Sequence, residues 1–186
     1  TEPIAIAYAA AKLRETLGQV PEKILAEVSG NIIKNVKSVI VPNTGGLKGI
    51  RAAIAAGVVA GETDQILQVI SRVPQEAHAD IARYTQDTPI DIVCANTPRL
   101  LDICLTGWAG DHSALVHIAN SHSNIVRIEK DGQVLMEKPL TDSSEDSLTD
   151  KSLLTVADIL AFADTVDLSL VSELIDLSLI HISEPT

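Results

Sequence analysis

The beginning of the chain follows a helical repeat of apolar positions. These positions recur at roughly helical spacing, and they are Ile4, Ala7, Tyr8, Ala11 and Leu17. Pro3 stands near the start of the repeat, where the first turn of a helix tolerates proline. The pattern stops at Gly18. It therefore predicts a first helix over residues 2–17.

The next segment carries two short stretches with the pattern of β-strands. Residues 24–29 alternate between apolar and polar side chains, as expected for a strand with one buried face. Residues 36–41 are rich in β-branched side chains and end at a proline. We therefore predict a strand in each stretch.

Helical patterns return after Gly49. An Ala-rich helix is predicted as far as about Gly61, followed by two more over about 63–70 and 74–85. The last two helices are expected to share one buried face. Its members are Ile66, Leu67, Val69, Ile70, Ala77 and Ile81.

From residue 90 onward the apolar period becomes that of strands. Five strands are predicted, over residues 90–95, 101–106, 114–120, 125–130 and 134–137. Asp131-Gly132 is a strong hairpin signal because both residues tolerate a positive φ angle. The chain is thus predicted to have an α+β fold, in which Ala-rich helices pack on a mainly antiparallel sheet of four or five strands.

The C-terminal part divides by composition into three segments. Residues 141–151 are acidic and are expected to form an exposed linker, and residues 152–176 are expected to begin a further helical segment. Within the latter, a helix over 156–166 is predicted to bury Leu160 and Phe162. Residues 177–186, LSLIHISEPT, match the translation of a sequencing-library adapter, and we expect them to be a non-native tail.

Composition and charge exclude several classes of function. The formal net charge of −11 is opposite to that of a nucleic-acid-binding surface, which needs clustered Lys and Arg. The apolar stretch near residues 50–60 is too short to span a bilayer, so no membrane association is expected. Two cysteines without a framework spacing favour a reducing, cytoplasmic location.

The loop from Asn43 to Gly49 is the most informative local motif. Its glycines allow backbone N–H groups to converge, and the start of a helix adds a positive dipole, so the loop could cradle a carboxylate or a phosphate. Its substrate-binding candidates are Asn43, Thr44, Gly45 and Gly46. A glycine-rich turn that only starts a tightly packed helix explains the motif equally well.

Two further polar clusters are weaker candidates for a binding site. Ser29, Asn31 and Lys34 lie between apolar segments, where Lys34 could neutralise a carboxylate or could simply be solvated. His122 precedes a predicted strand and could reach a site, although a surface turn is the commoner explanation. No metal site is predicted. His117 falls on the opposite strand face from His112 and His122, and Cys94 and Cys104 lack the spacing of metal ligands.

Four sequence blocks together resemble a known family. The blocks are TEPIA at 1–5, SGNIIKNV at 29–36, VPNTGG at 41–46 followed by Lys48-Gly49, and SHSNIV at 121–126. In this order they resemble the iron–sulfur-dependent L-cysteine desulfidase and L-serine dehydratase alpha-chain family. The resemblance covers residues 1–140, which would be a partial domain of that family, lacking sequence at both ends.

The resemblance implies β-elimination on a small amino acid. Cysteine would lose sulfide, or serine would lose water, and pyruvate and ammonia would follow. The cofactor implied is a 4Fe-4S cluster in the full-length enzyme, with none held by this chain, and the expected cysteine would fall just before Thr1. No catalytic residue is therefore assigned, and this chain alone is expected to be inactive. The expected partner is a small amino-acid substrate, and a homodimer is left open.

A function of a different class fits the same residues. The glycine-rich loop could belong to a non-catalytic module that binds or senses an amino acid without transforming it. A scaffold domain without any site is the third interpretation.

Overall fold

The computed structural model describes residues 1–140, 155–172 and 175. The chain forms two compact units, Thr1–Ser144 and Glu145–Thr186. The helices described are α1 (Glu2–Leu17), α2 (Gly30–Val36), α3 (Gly49–Ala60), a 3-10 helix (Thr63–Gln68), α4 (Ala77–Asp87) and α5 (Val156–Thr165). The strands described are β1 (Lys23–Val28), β2 (Ile90–Cys94), β3 (Asp102–Ala109), β4 (His112–Ala119), β5 (Ile125–Lys130) and β6 (Gln133–Glu137).

The strands of the first unit form one six-stranded sheet. Their order is β2-β1-β3-β4-β5-β6. Strands β1 and β2 pair in parallel, and every other neighbouring pair is antiparallel. The predicted α+β fold with a mainly antiparallel sheet is confirmed, although the sheet has one strand more than the larger number expected. The Asp131-Gly132 hairpin is also confirmed, with φ angles of 50° and 77°.

Helices α1 and α3 form the main helical layer, and small side chains bring them close together. Along α1, Ala5, Ala7 and Ala9 are fully buried. The α3 residue Gly57 lies so near α1 that an added Cβ would be 2.1 Å from the carbonyl oxygen of Ala7. Close packing of two backbones maximises dispersion contacts, and here it depends on the absence of a side chain at one position.

One face of the sheet packs against α1. An added Cβ at Gly107 would be 2.9 Å from the Cδ2 atom of Leu13, which places this face of β3 directly under the helix. Ile103 and Leu105 share that face and are fully buried. On the other face of β3, Cys104, Thr106 and Trp108 are only partly buried. The alternation explains why the period-two pattern of the sequence predicted this strand.

The predicted strand over residues 36–41 is wrong. Ser29 caps α2 by accepting a hydrogen bond from the backbone N–H of Ile32, and the helix runs to Val36. Ile32 and Val36 are both buried, since residues four apart share one helix face. The segment that follows is a turn closed by an isolated bridge between Ile40 and Lys48. The β-branched residues of the segment 36–41 therefore lie at the end of a helix and in a turn.

The predicted helix pair is only partly correct. The second helix is α4, and Ile81 within it is fully buried. The first is a 3-10 helix interrupted at Ile66, whose φ angle is 49°. Ile66 is 45% exposed and Leu67 is 41% exposed at this interruption of the helix. The predicted burial of these two side chains is therefore wrong.

The second unit contains the predicted helix near the C-terminus, α5. Thr155 caps its start by accepting a hydrogen bond from the backbone N–H of Asp158. Leu160 and Phe162 are each 60% exposed, so their predicted burial is wrong. The predicted linker 141–151 and tail 177–186 lie outside the described residues. The predicted domain boundaries stay predictions.

None of the described helices is long and apolar enough to cross a membrane.

Candidate functional site

The glycine-rich loop is held by its own polar side chains. The side-chain amide of Asn43 donates to the carbonyl oxygen of Ile70 at 2.9 Å. The buried hydroxyl of Thr44 donates to the carbonyl oxygen of Val41 at 2.8 Å. Both groups therefore fix the loop. The glycines provide the turn, with φ angles of 72° at Gly45 and 92° at Gly46.

Ligand binding by this loop stays a prediction. Gly45 lies against the ring of His78, whereas an added Cβ at Gly46 would meet nothing within 4 Å. Lys48 pairs with Ile40 between the loop and α3, and the backbone N–H of Gly49 donates to the carbonyl oxygen of Val39. The loop and the first turn of α3 are thus separate features.

Ser29, Asn31 and Lys34 have three different environments. Ser29 is buried, and its hydroxyl donates to the carbonyl oxygen of Leu100 at 2.8 Å while it caps α2. Asn31 is half-buried and Lys34 is exposed. Ser29 thus joins the end of β1 to the start of α2, and its hydroxyl both donates and accepts a hydrogen bond within the fold.

His122 lies in the turn between β4 and β5 and is half-buried. This turn is at the same end of the sheet as Ser29. The backbone N–H of Ser29 donates to the carbonyl oxygen of Asp102, and Asp102 pairs in turn with Ala119 at the end of β4. The topology therefore brings two predicted site residues to one sheet end, although they are far apart in sequence.

A pocket lies between α2, the start of α3 and β2. We call it the α2–α3 pocket, and its volume is about 370 Å³. Aliphatic walls are supplied by Ile33, Ile50 and Ile92, and positive charge by Lys37, Lys48 and Arg51. The volume is within the range of small-molecule sites, and a few charged groups on an apolar lining are typical of such sites.

Sequence reasoning missed most of this pocket. It named Lys34, but Lys37, which directly follows the end of α2, is the lysine that lines the pocket. The incorrect strand assignment for 36–41 concealed this face of the helix. A usable signal was present in the sequence, since Lys37 and Lys48 flank one short turn in an otherwise acidic chain.

Arg51 fixes the wall formed by β2. Its guanidinium group donates to the carbonyl oxygens of Ile90 at 2.7 Å and Thr88 at 3.2 Å. These bonds join α3 to the segment that leads into β2. Arg51 thus lines the pocket while its hydrogen bonds hold the pocket's shape.

A second buried polar cluster lies at the start of β3. Asp102 is 5% exposed, and its Oδ1 atom is 2.8 Å from the Nε2 atom of His117. The hydroxyl of Thr97 donates to the Oδ2 atom of Asp102 at 3.2 Å, and the Nη1 atom of Arg99 is 3.9 Å from it. Each oxygen of the Asp102 carboxylate thus has a hydrogen-bonding or charged partner, as burial of a charge requires. This cluster joins β3, β4 and the preceding loop.

The cysteines of this chain do not fit an iron–sulfur cluster. Cys94 pairs with Val28 and Cys104 with Glu27, so the two thiols point to opposite faces of the sheet. Burial, with a smaller contribution from nearby carboxylates, raises the pKa of the Cys104 thiol to about 12. That thiol is therefore protonated near neutral pH in the metal-free chain. Within the described residues, no group of three or more His, Cys, Asp or Glu side chains could hold a metal ion.

Comparison with known proteins gives a set of curated bacterial relatives. A protein of Desulfitobacterium hafniense is 50% identical over 176 residues, which are 95% of this chain and 41% of that protein. A protein of Treponema denticola is 44% identical over 94% of this chain and 41% of its own length. For Lachnoclostridium phytofermentans the identity is 42%, over 95% of this chain and 42% of the relative. All three are named UPF0597 protein.

The chain is similar to UPF0597 proteins. It spans about two fifths of the length of these curated relatives. No family model matches the chain. No solved structure matches it.

The predicted membership of the L-cysteine desulfidase and L-serine dehydratase alpha-chain family is wrong. The relatives carry the UPF0597 name, and nothing in the comparisons points to an iron–sulfur dehydratase. The structure explains why short blocks were misleading. Ser29 caps a helix, and Asn43 and Thr44 fasten a turn, so these block residues have local structural roles.

Proposed function

We propose that this chain binds the carboxylate group of a small organic acid in the α2–α3 pocket. The proposal is carried by one observation, the grouping of Lys37, Lys48 and Arg51 around walls made of isoleucine. A carboxylate beside these cations gains electrostatic energy, and a short carbon skeleton would cover the aliphatic walls.

The charge of the whole chain makes this grouping more significant. With a formal net charge of −11, most of the surface repels anions. A local cluster of cations in a concave site is then the place where an anion is attracted. Arg51 is already hydrogen-bonded to carbonyl oxygens, so Lys37 and Lys48 are the side chains free to move toward a ligand.

Removal of the two pocket lysines should abolish most of the binding. We expect Lys37→Ala combined with Lys48→Ala to weaken the binding of butyrate by about tenfold or more, equivalent to about 1.4 kcal/mol. Isothermal titration calorimetry on the 186-residue chain measures this effect. Both side chains are exposed, so the fold should be unaffected.

Lys34→Ala is the matched control for this experiment. Lys34 lies on the same helix and is exposed, but it does not line the pocket. Its removal should leave affinity unchanged. Equal losses for Lys34→Ala and for the double variant would show a non-specific charge effect and reject the pocket. A wild-type chain that does not bind butyrate would reject it as well.

Elimination chemistry is a second candidate function, and it belongs to the longer protein. In this proposal the longer protein releases sulfide from L-cysteine or water from L-serine, and both substrates carry the carboxylate that the pocket would hold. The cysteines described here do not fit the 4Fe-4S cluster that such chemistry was predicted to use, so no step is derived through it. A cytoplasmic location and a homodimer likewise stay predictions.

An assay with the longer protein separates elimination from simple binding. The complete gene is expressed without oxygen, L-cysteine and L-serine are supplied separately, and sulfide and pyruvate are measured. Either product at a rate that depends on Lys48 would support the elimination reaction. Ligand binding without either product would support the alternative of a regulatory or amino-acid-binding module.

A further inference from the structure

The lining of the α2–α3 pocket has an uneven balance of charge. Lys37, Lys48 and Arg51 are all cations, and none of the described residues that line the pocket carries a carboxylate. A ligand's carboxylate gains from all three charges. The α-ammonium group of an amino acid would be repelled by the same three charges, and none of the described lining residues supplies a carboxylate to offset that repulsion.

The aliphatic walls place a second requirement on the ligand. Ile50 is 6% exposed and Ile92 is 38% exposed, and together with Ile33 they line the space beside the cations. An inorganic anion would leave these walls in contact with water. A carbon skeleton of a few atoms would cover them and add hydrophobic stabilisation.

We infer that the pocket selects organic acids without an ammonium group over amino acids with the same carbon skeleton. The class comprises short aliphatic monocarboxylates and 2-oxo acids. This inference rests on the proposed carboxylate-binding function and narrows its ligand. If the longer protein is a lyase acting on cysteine or serine, a 2-oxo acid is the class of its product, and the pocket would then favour product over substrate.

The deciding experiment compares compounds that differ at one carbon. Calorimetry on the 186-residue chain at fixed ionic strength uses 2-oxobutyrate, butyrate, L-2-aminobutyrate and inorganic phosphate. The first two should bind with similar affinity, and L-2-aminobutyrate at least about tenfold more weakly because of its ammonium group. Phosphate should bind more weakly than butyrate because it cannot cover the isoleucines.

The outcomes distinguish this inference from the proposal on which it rests. Binding of L-2-aminobutyrate as tight as that of 2-oxobutyrate would overturn the selectivity and leave carboxylate binding intact. Absence of binding by all three organic acids would overturn both. Phosphate binding tighter than butyrate binding would overturn the requirement for a carbon skeleton.

A pair of edge-strand variants tests the aliphatic wall directly. Ile92→Ser removes a wall residue, whereas Val93→Ser changes the next residue, which is 48% exposed and points to the opposite face of β2. Butyrate binding should weaken severalfold in Ile92→Ser and stay unchanged in Val93→Ser. Because both side chains are substantially exposed, both variants should fold. Unchanged butyrate affinity in Ile92→Ser would overturn the role of the wall.

Discussion

Replacing Gly57 with alanine is expected to destabilise the first unit by at least about 2 kcal/mol, at the upper end of the usual cost of overpacking. The added Cβ would lie 2.1 Å from the carbonyl oxygen of Ala7 and 2.8 Å from its carbonyl carbon. These are backbone atoms, which cannot rotate away. Alanine is a better helix former than glycine by about 0.5–1 kcal/mol, so the steric cost exceeds the gain in helix propensity.

Thermal unfolding followed by circular dichroism measures the effect of Gly57→Ala, with an expected fall in Tm of about 4–8 °C. Gly30→Ala is the matched control. An added Cβ at Gly30 would make only an ordinary contact, 3.7 Å from the Sγ atom of Cys94, and Gly30 is the first residue of α2. The control should be neutral or slightly stabilising. A Gly57→Ala variant as stable as the Gly30→Ala variant would contradict the close approach of α1 and α3.

Loss of the Arg14 guanidinium group is expected to have the second largest effect on stability. Arg14 donates from Nη1 to the carbonyl oxygen of Val58 at 2.7 Å and from Nη2 to that of Gly61 at 2.8 Å. These carbonyl groups lie at the C-terminal end of α3, where the helix supplies no partners of its own and where positive charge is favourable. Arg14→Leu should cost about 2–3 kcal/mol, the upper range for hydrogen bonds to a charged group.

Urea denaturation of Arg14→Leu, beside Arg83→Leu, checks this expectation. Arg83 is 70% exposed and pairs only with Asp80 among the contacts described, so its removal should change stability by less than about 1 kcal/mol. Similar midpoints for the two variants would mean that Arg14 does not cap α3. A lower midpoint for Arg14→Leu with an unchanged m-value would confirm that the variant lowers stability without changing the surface exposed on unfolding.

Local patterns in the sequence were sufficient to predict most strands of the sheet. Strands β3 to β5 have one face against the helical layer and one partly exposed face, so buried and less buried residues tend to alternate along them. The turn at Asp131-Gly132 needs positive φ angles at both residues, which its composition favours. The helix α1 was equally clear because its apolar stripe is long and regular.

The errors arose where tertiary contacts outweighed local preference. Val36 is β-branched, yet it closes the last turn of α2, because the cap at Ser29 and the burial of Ile32 favour a helix there. Ile66 has a positive φ angle that its side chain disfavours, and no sequence pattern indicated it. In each case the deciding interaction was with residues elsewhere in the chain or in the backbone itself.

The candidate site was the least predictable part because it is assembled from three separate segments. Lys37 and Lys48 flank one turn, but Ile92 reaches the pocket only through the pairing of β2 with β1. That pairing is parallel and has no local signature in the sequence. The sequence indicated the polar loop residues, whereas the structure uses Asn43 and Thr44 to hold the loop and places the cations beside it.

The parallel pairing of β1 and β2 also has a kinetic consequence. All of α2, α3, the 3-10 helix and α4 lie between the two strands in sequence, so β2 closes a very long chain loop when it docks. Closure of such a loop carries a large entropic cost, and sheets with distant partners fold slowly. An organic acid bound against Ile92 would hold this strand in place, because a ligand that binds only the folded chain favours the folded state.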